Sequence, residues 1–186
     1  KAQELPNSNK ICNEEKICIQ NKDTFNLVFI NFYKPLVSFA SSFLNYNKSV
    51  SEDIVQDVFE KLWNNRKKVD FEKSKSWIFT TAHNTMLNYI KRRNRLSYVD
   101  EVRSDSVERC KIHQFELIEI VEKSLAILPP IQKSIILLRD LEGYDYKEIS
   151  KILTLSESQV KVYLFRARNK MKKKLINLNM LEVKHA

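Results

Sequence analysis

The sequence predicts an all-α protein built as two small helical domains joined by a flexible linker. Three observations carry that expectation. The 186 residues include one Gly and four Pro, too few turn residues for the hairpins of a β fold. Apolar residues recur at helical spacing through long stretches rich in Leu, Ile, Lys, Glu and Asn. Between Arg95 and Gln114, RLSYVDEVRSDSVERCKIHQ loses that spacing and mixes its charges, as a linker does. A hydrophobic share of 43% supplies a core and excludes a disordered chain. The predicted division is a tail or short docked helix over 1–22, a first domain over 23–95, a linker over 96–114 and a second domain over 115–180.

In the first domain, Thr24 is placed to cap a helix whose Phe25, Val28, Phe29 and Phe32 share a face. Pro35 interrupts and restarts the pattern with Leu36, Val37, Phe39, Ala40, Phe43 and Leu44. Proline fits the first turn of a new helix, so a break is expected there. After the loop NYNKSVS, a helix from Glu52 to about Asn65 puts Ile54, Val55, Val58, Phe59 and Leu62 on one side. Glu52, Asp53, Asp57 and Glu60 lie on the other. A basic loop, RKKVDFEK, follows, and Ser74 or Ser76 opens a helix to about Arg93.

The second domain begins with a helix over Phe115–Ala126. Pro129-Pro130 punctuates, Ile131–Leu141 forms another helix, and Gly143 ends it in the left-handed conformation. Tyr146–Leu153 is a short helix, and Ser156 caps the last one. Wound at helical pitch, that last helix gathers Val160, Leu164, Ala167, Met171 and Leu175 into one stripe, with Lys161, Arg166, Arg168, Lys170, Lys172 and Lys173 around it. Phe165 points away from the stripe. A short helix, a tight turn and a longer basic helix form a helix-turn-helix, whose second helix enters a major groove N-terminal end first. The turn carries Thr154 where Gly is usual, and a β-branched residue at positive φ is strained, so a reshaped turn is expected.

A formal charge of +9 favours a polyanionic partner, because Lys and Arg displace counterions from phosphates. Cys12, Cys18 and Cys110 form no CxxC pair, and their odd number reads as reduced thiols in a cytoplasmic protein. Cys110 and His113 offer half a zinc site with no second half, so neither metal nor cofactor is expected. No apolar run approaches the ~20 residues that span a membrane. The chain opens on Lys1 rather than Met, which reads as a trimmed or tagged end.

The stretch LPPIQKSIILLRDLEGYDYKEISKILTLSESQVKVYLFRARNKMKKKL resembles region 4 of extracytoplasmic-function sigma factors, small alternative sigma subunits of bacterial RNA polymerase. FASSFLNYNKSVSEDIVQDVFEKLW is similar to regions 2.1 and 2.2, and SWIFTTAHNTMLNYIKRRNR to regions 2.3 and 2.4. The resemblance covers most of the chain, with both halves in family order. It implies a non-catalytic initiation subunit. One domain opens the −10 element, the other reads the −35 element, and the partners are the clamp helices and flap of core polymerase. An anti-sigma factor or another recruiting protein is a further partner the family implies.

Residue by residue, the resemblance puts Glu52, Asp53, Gln56, Asp57, Glu60, Leu62 and Trp63 against polymerase, a carboxylate face meeting a basic coiled coil. The −10 element, held as a melted single strand, falls to Arg66, Lys67, Asp70 and Lys73 in the loop. Thr80, His83, Asn84 and Asn88 join them on one helix face, with Lys91, Arg92, Arg93 and Arg95 on phosphates. Relatives often carry Arg where His83 stands. Trp77 and Phe79 are stacking candidates that read better as core. The −35 duplex falls to Tyr146, Lys147, Ser156, Ser158, Gln159, Lys161, Val162, Tyr163 and Arg166, with Val162 suited to a thymine methyl. Taken without the resemblance, an acidic helix face is most simply a solvated one. The alternative to a sigma factor is a stand-alone helix-turn-helix regulator, which has no need of the acidic helix or of SWIF…NYIKRR. A nucleic-acid enzyme comes last, for want of a P-loop, a Ser/His/Asp set or a metal cluster.

Overall fold

The structure is a computed structural model that describes Ile19, residues 22–96 and residues 114–183. Cys12, Cys18, Cys110 and His113, and nearly all of the expected tail and linker, lie outside the described residues.

Three helices build the first half: α1 over Lys22–Phe43, α2 over Lys48–Asn65 and α3 over Ser74–Leu96. The break expected at Pro35 does not occur, and α1 runs through it. Proline removes one backbone hydrogen bond in a helix interior. Here Val28 on one side of it and Leu36, Phe39, Ala40 and Phe43 on the other are all buried, and that shared apolar face holds the helix together across the gap. Asn45 and Tyr46 reverse the chain at positive φ, and Asn47 caps α2 through its side-chain oxygen on Val50 N–H at 3.2 Å. Ile19 is fully buried and donates its N–H to Val69 O at 3.2 Å, so this point of the N-terminal segment docks on the loop between α2 and α3.

The second half holds α4 over Gln114–Ala126, α5 over Pro130–Ile136, α6 over Tyr146–Leu153 and α7 over Glu157–Val183. Pro130 starts α5 where its missing N–H costs nothing. α5 continues into a π-helical turn, Leu137–Leu141, in which Glu142 N–H reaches back to Leu137 O at 3.0 Å. The wider turn ends the row of consecutive buried residues Gln132–Leu138 and passes the chain to Gly143, at φ 75°. Asp145 and Glu148 form a reciprocal capping box on α6. Thr154 takes the left-handed conformation itself (φ 56°, ψ 47°), so the expected reshaping of the turn is absent. The N–H groups of Thr154 and Leu155 both close on Ser150 O, which ends α6 in the way a glycine would. Ser156 and Gln159 then form a second reciprocal capping box, at 2.8 and 3.2 Å, that starts α7.

The halves are packed together. α3 lies against α6, and the end of α1 lies against the π turn. One apolar core runs from Val28 and Phe39 through Phe79 to Tyr144, Ile149 and Val160. Among the described residues, no helix is long and apolar enough to cross a membrane.

Candidate nucleic-acid and partner interfaces

Glu52, Asp53, Gln56, Asp57 and Glu60 form an exposed stripe along α2, opposite the buried Ile54, Val55, Val58 and Phe59. Glu52 pairs with Lys48 at 3.9 Å, a contact on the helix's own surface. Leu62 does not belong to this face. It is 0% exposed, because it continues the core stripe of α2, so its expected role as a surface anchor is corrected. Trp63, expected against polymerase, is 38% exposed and closes an aromatic ladder that the sequence reading did not assemble. Phe25 stands edge-on to Trp63 at 5.0 Å, and Phe29 to Phe59 at 4.8 Å, with Tyr33 stacked on Phe29 at 5.0 Å. The aromatic spacing along α1 and α2 was the available signal. Leu27 and Ile30 are also exposed on α1.

In the loop after α2, Arg66 lies over the Trp63 ring at 4.2 Å and donates to Trp63 O at 2.7 Å, which joins the loop to the end of the acidic helix. Lys67 and Lys73 are exposed. Asp70 accepts from Glu72 N–H at 3.1 Å and stands 3.9 Å from Lys73, so it shapes the loop from within. On α3, Asn84, Asn88, Lys91, Arg92, Arg93 and Arg95 are exposed, a polar and cationic run along one helix. Phe79 is buried against Tyr144, edge-on at 5.0 Å, and Trp77 packs half-buried on the core, so both serve packing.

Thr80 and His83 are not available on that face in this conformation. The Thr80 hydroxyl is shared between Ser76 O at 2.7 Å and Ile152 O at 2.8 Å. Ile152 O lies in the last turn of α6, where a carbonyl lacks a helical partner. His83 is 5% exposed, its Nδ1 hydrogen-bonded to Ser134 Oγ at 2.9 Å and its ring edge-on to Phe43. Burial pushes its pKa down to about 4. Both residues lie on the side of α3 that meets the second half, His83 buried and Thr80 partly so.

The helix-turn-helix is formed by α6 and α7. Lys147, Ser156, Ser158, Lys161, Val162 and Arg166 are exposed, with Val162 at 45%. Gln159 has its carbonyl oxygen on the α7 cap, which leaves its amide N–H groups as the groups able to reach out. Lys161 Nζ stands 5.5 Å from the Tyr146 ring, whose other neighbour is Arg139 at 4.9 Å. Tyr146 and Tyr163 are half-buried and pack on the core. Arg168 leaves the basic group: its fork holds Asp140, Nε to Oδ2 at 3.2 Å and Nη2 to Oδ1. Phe165, off the stripe, is 67% exposed and packs on no other helix of the described residues. Among the described residues, no His/Cys/Asp/Glu group has the arrangement to hold a metal ion.

A basic helix-turn-helix behind a helical unit with an acidic helix and a cationic helix is the arrangement of a DNA-binding protein. Family models match on both sides of the linker: Sigma-70 region 2 over residues 29–96, and Sigma-70 region 4 over residues 118–171. The chain is 28% identical over 130 residues to the ECF RNA polymerase sigma factor SigM of Bacillus subtilis, covering 68% of this chain and 80% of that protein. It is 26% identical over 179 residues to the ECF RNA polymerase sigma-E factor of Escherichia coli, covering 87% and 91%. Among solved structures it resembles the sigma factor RpoE in complex with the anti-sigma factor NepR from Bartonella quintana (TM-score 0.69, 24% identity, 83% of this chain and 98% of that one). It also resembles CnrH in complex with the cytosolic domain of CnrY, with TM-score 0.65, 22% identity and coverage of 85% and 91%. The chain belongs to the sigma-70 family, among its extracytoplasmic-function sigma factors.

Proposed function

We propose that the protein is a dissociable initiation subunit that binds bacterial core RNA polymerase, brings it to promoters and helps open them. The observation that carries this reading is the joint presence, in order, of a region 2 half with an exposed acidic helix and a region 4 half with a helix-turn-helix. The acidic stripe of α2, with Trp63 and the aromatic ladder beside it, docks on a basic coiled coil of polymerase: charge steers the approach and the rings supply buried area. Lys147, Ser158, the Gln159 amide, Lys161, Val162 and Arg166 meet the −35 duplex, with Ser156 and the half-buried Tyr146 and Tyr163 fixing the helices that carry them.

Arg66, Lys67, Lys73, Asn84 and Asn88 hold the melted −10 strand, joined by Thr80 and His83 once these are uncovered. Asp70 shapes the loop, and Lys91, Arg92, Arg93 and Arg95 hold phosphates at the duplex junction. Opening DNA without ATP then amounts to binding the melted strand better than the duplex. Residues 23–95 and 115–180 act as the two functional domains, with 96–114 joining them. The bond-making chemistry belongs to polymerase, and the site of action is the cytoplasm. An anti-sigma factor is the partner in the related RpoE structure, and a protein of that kind is the proposed keeper of this chain. Purified chain, core polymerase and promoter DNA should together give a run-off transcript that neither protein gives alone. DNA binding without any such transcript would favour a stand-alone regulator.

A further inference from the structure

Three elements bring two cations onto one ring beside the helix-turn-helix. Tyr146 is the first residue of α6. Its backbone is fixed by the Asp145–Glu148 capping box, and its ring packs half-buried on the core. Arg139, in the π turn, lies 4.9 Å from the ring centroid and is itself tied down, Nη1 donating to Tyr144 O at 2.8 Å. Lys161, exposed in the second turn of α7, brings its ammonium to 5.5 Å from the same centroid. Lys161 has another natural neighbour and does not use it. Glu157 stands one turn earlier on α7, the favoured order for an ion pair along a helix. Among the described residues no ion pair joins the two, and the ammonium lies toward the ring instead.

The contact suits a residue that must stay in water yet point one way. An aromatic face attracts a cation through its quadrupole without taking the place of a hydrogen bond, so the three ammonium donors remain free for a base or phosphate. A lysine side chain loses much rotamer freedom when it takes a single pose, and a pose held beforehand lowers that cost on binding. We propose that Tyr146 is a positioning residue for duplex reading: its ring, steadied by Arg139, aims the Lys161 ammonium into the groove, so the base preference carried by Lys161 depends on an aromatic side chain at position 146. This deepens, and rests on, the −35 reading proposed above. It gives α6 a part in sequence discrimination through a side chain of α7.

The full-length chain, as parent and as Lys161→Ala, Tyr146→Leu, Tyr146→Phe and the Tyr146→Leu/Lys161→Ala pair, is used to select from a randomised duplex pool. Fluorescence anisotropy then measures affinity for the duplex the parent enriches. Lys161→Ala should flatten the preference at one or two base positions. Tyr146→Leu should flatten the same positions and weaken binding about five-fold, and Tyr146→Phe should restore both. The pair should bind no more weakly than Lys161→Ala alone. Nuclear magnetic resonance of the free chain reads the contact itself. The ε-methylene protons of Lys161, identified by their loss in Lys161→Ala, should lie upfield in the parent and in Tyr146→Phe, and at the ordinary lysine position in Tyr146→Leu. A parental preference in Tyr146→Leu overturns the proposal. So does its loss in Tyr146→Phe, which would make the hydroxyl the working group. If Tyr146→Leu loses helix content by circular dichroism, the parent's Lys161 signal decides, and an unshifted signal overturns the contact. A parent that enriches no sequence fails the −35 reading itself, a result distinct from the others.

Discussion

A histidine sealed between two helices has to be neutral, because an imidazolium there would lack water and a counter-charge. His83 meets that condition, and burial takes its pKa from 6.5 to about 4. The folded chain therefore holds fewer protons than the unfolded chain between these values. The sign follows: the His83 contribution is fully present above pH 6.5 and is lost as pH falls toward 4, at up to about 1.4 kcal/mol per pH unit. Urea midpoints measured between pH 7 and 5 should fall with acidification, and less steeply in His83→Asn. Equal slopes would place the ring in water. Leu62 teaches the opposite lesson at the same scale. Its spacing with Val55, Val58 and Phe59 already assigns it to the core, and resemblance to a contact surface does not outweigh that geometry.

At the scale of the element, α2 shows how one helix serves two neighbours. Its apolar stripe fixes it against α1 and α3, and the same periodicity leaves Glu52, Asp53, Gln56, Asp57 and Glu60 facing outward. Because these carboxylates carry no core packing, Asp57→Arg should abolish copurification with core polymerase while the circular dichroism spectrum stays unchanged. Copurification at parental levels would remove α2 from that interface. Most elements could be read from the chain: the apolar faces, the Gly143 stop and the Ser156 cap all act within a turn or two of sequence. α1 could not. Whether a helix survives Pro35 depends on what its flanking turns bury, and those partners lie in α2 and α3.

At the scale of the molecule, the two halves share one apolar core from Val28 to Val160, so they should lose structure together. Trp63 and Trp77 both report on the first half, whereas far-ultraviolet circular dichroism reports on all helices. Their urea midpoints are expected to coincide, and separated midpoints would mean that the contact between the halves adds little to stability. The packing between the halves explains why the surroundings of the α3 polar face could not be read from the chain. Sequence places Thr80, His83, Asn84 and Asn88 on one face of α3. Nothing local says that Ser134 and Ile152, far along the chain, will take the first two.

By itself the sequence determined the helices, their order, the acidic face of α2, the helix-turn-helix and the family. Each of these is written in spacing, capping and charge over a few turns. Only the tertiary structure decided that α1 continues past Pro35 and that α3 gives part of its polar face to the other half. Those outcomes depend on which surfaces meet across long separations in the chain, and there buried polar groups must find partners that no local pattern names.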